Sequence, residues 1–191
     1  MSVPELPILQ FKTQADWRTW LQANHETSSG VWLRLAKKNS GEITVNYLQA
    51  VEEALCYGWI DGLVHAENES FYRQKFTPRK PKSVWSKINV GRVEKLIAAG
   101  KMTAAGQATI EAAKADGRWD AAYNPPSTSK PPADFEAALN ANPKAKAFYQ
   151  KLNKTNAFAF CWRIETAKKP ETRQARIQKF ITMLENGEKI H

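Results

Sequence analysis

The chain of 191 residues lacks the long apolar runs and the leader sequence that mark membrane and secreted proteins. No segment approaches the roughly eighteen consecutive apolar residues that a membrane-spanning helix requires. The first residues, "MSVPELPILQ", do not form a basic stretch followed by an apolar one, which is the pattern of a secretory signal. We therefore expect a cytoplasmic protein without a membrane span.

The sequence is also poor in the residues that hold metals or form disulfides. Its two cysteines, Cys56 and Cys161, lie far apart inside helical patterns, which favours reduced and buried thiols. His25, His65 and His191 have no cysteine or carboxylate at metal-ligand spacing. The GxxxxGK[ST], GxGxxG and GxSxG patterns are missing as well. The sequence thus predicts neither a metal nor a cofactor, and it contains no motif that indicates a particular reaction.

Aromatic residues and positive charge are abundant. Seven tryptophans and a hydrophobic content of 42% are enough for a core, in one large domain or two small ones. The net charge of +9 is concentrated in two blocks: residues 72–101 carry nine cations and one anion, and residues 144–191 carry eleven and four. Such blocks attract nucleic acid, nucleotides, acidic proteins or anionic lipid surfaces, unless they are ordinary solvated lysines.

The N-terminal part combines helix and strand signals. Capping boxes at Thr13 with Asp16, and at Asn46 with Gln49, predict two helix starts, and Gly58 is a typical residue for the left-handed end of the second helix. Between these helices "GVWLRLA" alternates like a strand. The segments "LVHA" and "FYRQKF", separated by "ENES", predict a hairpin.

Downstream of residue 82 the patterns are helical. In "SVWSKINVGRVEKLIAAG" the spacing predicts a helix whose core-facing residues are Trp85, Ile88, Val93, Leu96 and Ile97. The proline-rich "YNPPSTSKPPADF" is typical of a linker. We predict an α+β fold: a small antiparallel or mixed sheet with helices at 1–120, a linker at 121–132 and an all-helical domain at 133–191. The sheet should lie within roughly residues 8–76, with no strand after residue 100.

The segment "CYGWIDG" is the first candidate site. Because Gly58 and Gly62 flank residues 59–61, we expect Trp59 to Asp61 to form a tight corner, in which the side chain of Asp61 stabilises the turn. Alternatively, Asp61 is a positioned carboxylate that faces Arg79 or a ligand amine, and Trp59 forms the wall of a pocket.

The segment "FTPRKPKSVWSKIN" is the second candidate. Pro78 and Pro81 keep it extended, so the next helix should begin near Ser83 or Ser86, with three cations beside its N-terminus. A helix N-terminus with neighbouring arginine and hydroxyl donors favours phosphate or carboxylate. The alternative is a solvated basic loop with the tryptophan in the core. The predicted ligand-binding residues are Trp59, Asp61, Arg79, Lys80, Lys82, Ser83, Trp85, Ser86 and Asn89, the last of which adds an amide.

A third candidate is the stripe of Lys169, Arg173, Arg176 and Lys179, which recur three or four residues apart on the last predicted helix. Such a stripe can follow phosphates or lie on an anionic membrane. It is also the common pattern of the solvent-exposed side of a surface helix.

Four segments together resemble a bacterial family: "GWIDG", "FTPRKPKSVWSKIN", "LIAAGKMTAAGQATIEAAKADGRW" and "KKPETRQARI". The family is the YdeI/OmpD-associated family, also labelled bacteriocin-protection proteins. The resemblance implies a C-terminal helical domain at roughly residues 130–188 and a role in tolerance of bacteriocins or other antimicrobial stress, with a link to an outer-membrane porin. It carries no catalytic or binding residue to this chain.

Our interpretation is a cytoplasmic binding protein that holds an anionic, phosphate-bearing ligand: a nucleotide, another phosphorylated metabolite or a nucleic-acid backbone. One alternative is a small enzyme that uses Asp61 as general acid or base beside residues 76–89, which we call the basic segment. The other is a basic interaction module for an acidic partner or nucleic acid. Nothing in the sequence indicates an oligomeric state.

Overall fold

The computed structural model describes residues 5–190, which form four strands and eight helices. The elements are β1 (Ile8–Leu9), α1 (Gln14–Asn24), β2 (Val31–Ala36), α2 (Tyr47–Cys56), β3 (Trp59–Ala66), β4 (Phe71–Pro78), α3 (Lys87–Ala98), α4 (Ala104–Ala115), α5 (Ala133–Ala141), α6 (Pro143–Gln150), α7 (Lys154–Glu165) and α8 (Pro170–Glu185). The chain divides into two compact units, one that ends at Tyr123 and one that begins at Asn124. The expected combination of an N-terminal sheet with helices and a helical C-terminal part is confirmed.

The sheet of the first unit has the strand order β1-β2-β4-β3. β1 runs parallel to β2, whereas β4 pairs antiparallel with both β2 and β3, so the sheet is mixed. β3 and β4 form the predicted hairpin. All four strands lie between Ile8 and Pro78, and the described residues after 100 contain no strand.

The helix starts follow from local side-chain chemistry. Thr13 and Asn46 close the two predicted capping boxes, each accepting a hydrogen bond from the backbone N–H of the third helical residue. Thr103 caps α4 in the same manner, and Gly58 adopts a φ of +72° after α2. The two capping boxes and the left-handed Gly58 were predicted because they depend on residues only a few positions apart.

The corner predicted at Trp59 to Asp61 is wrong. These residues belong to β3, where Trp59 pairs with Pro78 and Asp61 with Phe76. The partner strand extends far enough to pair the whole segment, so the glycines do not interrupt it. The irregularity lies later, as a register shift between Asp61 and Val64.

A hydrophobic cluster of described residues forms the core of the first unit. The buried side of β2 (Val31, Leu33 and Leu35) packs against α1 and α2, with Trp17 and Trp59 fully buried among them. α3 adds the buried residues Asn89, Val93 and Leu96, which recur at helical spacing. Two residues that we expected on this side, Ile88 and Ile97, are 44% and 41% exposed, because they flank that stripe.

All regular secondary structure among the described residues of the second unit is helical. Its core contains Phe135 from α5, Phe160 and Ile164 from α7, and Phe180 and Leu184 from α8. α7 contributes four buried residues. The predicted division into domains and a linker at 121–132 stays a prediction.

Within residues 5–190, no helix combines the length and the apolar character needed to cross a bilayer.

Candidate functional site

Arg79 follows directly on β4 and is held in place by its backbone and its side chain. Its backbone N–H donates to the carbonyl of Gly58, at 2.9 Å. The guanidinium carbon lies 3.6 Å from the centroid of the Trp85 ring, and Nη1 donates to the carbonyl of Val84 at 3.2 Å. One face and one nitrogen of the guanidinium are thus fixed by the protein.

The other edge of the Arg79 guanidinium consists of Nε and Nη2. Nε and Nη2 are buried and make no hydrogen bond with any described residue. In a planar guanidinium these two nitrogens direct N–H groups along the same edge, in the geometry that two oxygens of one carboxylate or phosphate accept. Two oxygens of one carboxylate or phosphate would therefore satisfy both nitrogens.

A third buried donor without a partner among the described residues belongs to the ring on which Arg79 stacks. Trp85 is 1% exposed, and its indole N–H has no hydrogen-bond partner among residues 5–190. Buried polar groups in proteins are paired with few exceptions, so three unpaired donors in two stacked side chains point to a functional cause. All three are donors, which means that the group that would satisfy them is an acceptor.

A pocket of about 280 Å³ opens beside this stack. Its lining consists of Arg79, Lys80, Pro81, Trp85, Ala108, Thr109, Ala112 and Arg118. We call it the Arg79 pocket. The small residues of α4 form an apolar wall and three cations supply positive charge, so the pocket combines a small apolar surface with an anion-attracting one.

Burial makes the charge of Arg79 costly. Desolvation lowers the pKa of Arg79 from 12.5 to about 10, although the negative charge of Asp61 acts in the opposite direction. The nearby cation Arg118 lowers this pKa further. Arginine stays protonated in proteins. The lowered pKa therefore means that burying the charged Arg79 side chain costs folding free energy.

Asp61 lies in a cluster with tyrosines. Its Oδ2 accepts a hydrogen bond of 2.8 Å from the hydroxyl of Tyr47. Burial, and then the charge of Asp61, raise the pKa of Tyr47 and of Tyr123. Asp61 acts on Arg79 through its charge and is not among the residues that line the Arg79 pocket.

The other predicted residues are placed as follows. Ser83 accepts a hydrogen bond from the backbone N–H of Lys80 at 2.9 Å and thus closes a turn. Ser86 caps α3 by accepting from the backbone N–H of Asn89 at 3.2 Å. Lys82 is exposed. The hydroxyl groups of Ser83 and Ser86 therefore stabilise the backbone of the basic segment.

Two further predicted residues have structural partners. The buried ring of Trp59 donates from Nε1 to the carbonyl of His25, and the amide oxygen of Asn89 accepts from Arg92. Of the nine predicted residues, Arg79, Lys80 and Trp85 meet in the pocket.

Sequence reasoning missed the wall that α4 and Arg118 provide. Arg118 donates to the carbonyl of Ser83 at 2.8 Å and so ties the end of the first unit to the basic segment. Ala108 and Ala112 lie one helical turn apart on α4. This pair of small residues on one helix face is the sequence feature that could have indicated a pocket wall.

The arginines of the basic stripe on α8 make contacts within the second unit. Arg173 donates through Nε and Nη2 to the carboxylate of Asp134, at 2.5 and 2.8 Å, and through Nη1 to the carbonyl of Ile164. Arg176 donates to the carbonyl of Arg163. These contacts favour a structural role over phosphate recognition.

Residues 5–190 contain no cluster of three or more His, Cys, Asp or Glu side chains suited to a metal ion.

Comparison with known proteins identifies two family models in the chain. Residues 9–109 match a domain of unknown function, DUF8412. Residues 128–187 match the family described as "Bacteriocin-protection, YdeI or OmpD-Associated", which confirms the resemblance seen in the C-terminal part. No curated protein and no solved structure matches the chain significantly.

Proposed function

The chain belongs to the family of the DUF8412 domain and carries a domain of the bacteriocin-protection, YdeI or OmpD-associated family, and we propose that it binds a small anionic ligand in the Arg79 pocket. The ligand presents two oxygens of one carboxylate or phosphate group to Nε and Nη2 of Arg79. The observation that carries this proposal is the buried, unpaired edge of that guanidinium.

The charge of the site supports the same ligand class. A buried cation whose pKa is lowered by desolvation gains from a negative partner, because the anion restores the interactions that water provided. Lys80 and Arg118 in the lining add attraction at longer range. A neutral ligand would leave the desolvation penalty on the Arg79 charge in place.

The size and the walls of the pocket limit the ligand. A volume of about 280 Å³ lies just below the range of roughly 300–1,000 Å³ of small-molecule sites. The face of Trp85 is covered by Arg79, so the tryptophan contributes its N–H rather than a stacking surface. We therefore propose an oxyanion on a small apolar body that contacts Ala108 and Ala112.

Binding is favoured over catalysis by the position of Asp61. General acid or base chemistry on the bound ligand would need this carboxylate to face the pocket. Asp61 instead accepts a hydrogen bond from Tyr47 and lies outside the pocket lining.

The proposal is tested with inorganic phosphate and with benzoate as probes, in thermal unfolding followed by tryptophan fluorescence. At a hundredfold excess over Kd, a ligand that binds only the folded protein stabilises it by about 2.7 kcal/mol. We expect at least one probe to raise the Tm beyond a chloride control of equal ionic strength. Arg79→Lys, which keeps the charge but loses the two-donor edge, should remove most of this rise.

A matched control separates the pocket from general charge. Lys87→Ala removes an exposed cation of the same segment outside the pocket and should keep the rise. Equal responses to both probes and to chloride would contradict the proposal, and so would an unchanged response of Arg79→Lys.

The physiological setting that we propose is bacteriocin protection, in line with the description of the C-terminal family. Cells that depend on this protein for bacteriocin tolerance should lose tolerance with Arg79→Lys and keep it with Lys87→Ala, at equal protein levels.

A further inference from the structure

The sheet of the first unit has one face that lies outside the hydrophobic core. Along β2 the buried Val31, Leu33 and Leu35 alternate with partly exposed residues. Phe71, although 7% exposed, belongs to neither hydrophobic cluster, and its ring is covered by the guanidinium of Arg34 at 3.8 Å. We call this side the open sheet face; by strand register and alternation it carries Ile8, Trp32, Arg34, His65, Phe71, Arg73 and Lys75.

The strand register arranges these residues in two rows. Arg73 on β4 pairs with Arg34 on one side and with His65 on the other, which gives a row of basic side chains. The second row lies two residues further along the strands. In it Trp32 pairs with Lys75 on one side and with Ile8 of β1 on the other. The rows are separated by about 7 Å, the rise of two residues in a strand.

The basic row contains more positive charge than the described residues neutralise. Arginines directly opposite each other on one sheet face repel, and such pairs destabilise a sheet. The carboxylate of Glu67 lies 3.0 Å from Nε of Arg34 and 3.5 Å from Nε of Arg73, so a single anion serves both cations. Nε of Arg73 has no hydrogen-bond partner among the described residues, and the two arginine side chains remain 29% and 31% exposed.

The second row brings aromatic surface next to this charge. The rings of Trp32 and His65 stack with centroids 4.4 Å apart, and Nζ of Lys75 lies 5.8 Å from the centre of the Trp32 ring. Unpaired bases stack on such aromatic rings, and cations within a few ångströms hold the backbone phosphates. A duplex fits the face less well, because its bases are already stacked inside the helix.

We propose that the open sheet face binds single-stranded nucleic acid, with bases on Trp32 and His65 and phosphates on Arg73 and Lys75. This site shares no residue with the lining of the Arg79 pocket and stands independently of the ligand proposed there.

The test is fluorescence anisotropy with a labelled oligodeoxythymidine of about ten nucleotides, a length within the range that small binding domains cover. Trp32→Ala should weaken binding by roughly 5-fold to 150-fold, the loss measured when one stacking aromatic ring is removed. Trp32→Phe should retain most of the affinity because it keeps a ring. This second variant also separates a stacking effect from a folding defect.

The phosphate contacts are tested by charge-matched variants. Arg73→Gln with Lys75→Ala should weaken binding and reduce the dependence of log Kd on log salt by about 1.4, since each single-strand phosphate contact contributes about 0.7. Lys87→Ala with Lys95→Ala removes the same charge from exposed positions on α3 and should leave the slope nearly unchanged.

Three outcomes would overturn the proposal. The first is a Trp32→Ala variant that binds the oligonucleotide as tightly as the wild type. The second is a duplex of the same sequence that binds more tightly than the single strand. The third is an equal effect of Trp32→Ala on heparin, a polyanion without bases, which would make the face a general polyanion surface.

Discussion

Arg79→Met should leave the unfolding free energy of the ligand-free protein unchanged or raise it. A pKa lowered from 12.5 to about 10 corresponds to a penalty of about 3 kcal/mol on the charge, at about 1.4 kcal/mol per pKa unit. Methionine removes this penalty. It also removes the stacking of the cation on Trp85, worth about 1 kcal/mol, and the hydrogen bond to Val84, worth about 1 kcal/mol. The balance is a gain of about 1 kcal/mol.

The matched control is Arg18, a second arginine of the same unit with the opposite expectation. Its Nη1 lies 2.6 Å from the carboxylate of Glu53, whose side chain is 5% exposed. Arg18→Met would leave that buried carboxylate with Gln14 as its remaining side-chain donor, so we expect a loss of about 3 kcal/mol. The two substitutions are chemically identical and should move stability in opposite directions.

The assay is urea unfolding followed by tryptophan fluorescence, which reports on the first unit because six of the seven tryptophans precede residue 124. A loss of more than about 1 kcal/mol in Arg79→Met would contradict a net desolvation penalty on the Arg79 charge. It would mean that the guanidinium stabilises the fold, as Arg18 does, and the unpaired edge would then no longer point to a ligand.

Two further predictions concern other parts of the chain. Gly106→Ala should destabilise the first unit by about 1–3 kcal/mol, because its Cβ would meet the carbonyl oxygen of Cys56, whereas Gly91→Ala on α3 has open space and should stabilise by about 0.5–1 kcal/mol; urea midpoints compare the two. Lys169→Ala with Lys179→Ala should leave oligonucleotide affinity unchanged in the anisotropy assay, and a clear loss would locate nucleic-acid binding on α8 instead of the open sheet face.

The parts of the fold that were predicted correctly depend on neighbours in sequence. Capping by Thr13 and Asn46 involves residues three positions away, and the hairpin of β3 and β4 requires only a short turn between two strand patterns. The corner at Trp59 to Asp61 failed because its conformation is decided by pairing with Phe76 to Pro78, on another strand. Local glycines favour a turn, but tertiary pairing overrides that preference.

The candidate site divides in the same manner. Arg79 and Trp85 are six residues apart, so the sequence already brought a cation and a ring into one segment. Their stacking, and the carbonyl of Val84 that occupies Nη1, determine which edge of the guanidinium remains free. Arg118 and Ala108 come from a later part of the chain, and only the packing of α4 against this segment makes them pocket residues.

The contact between Asp134 and Arg173 should make the second unit sensitive to acid. The two hydrogen bonds from Arg173 lower the pKa of Asp134 below its ordinary 3.8. A carboxylate with a lowered pKa contributes stability that is fully present above the ordinary value and is lost as the pH falls through the lowered one. Circular-dichroism melts of the wild type should therefore show an additional loss of Tm as the pH falls below about 4. Asp134→Asn should have a lower Tm at pH 7 and lack that part of the acid loss, whereas Glu136→Gln, at an exposed position of the same helix turn, should behave like the wild type. If Asp134→Asn followed the same acid profile as the wild type, the arginine of α8 would not be held by this carboxylate in solution, and the structural role assigned to the stripe would be wrong.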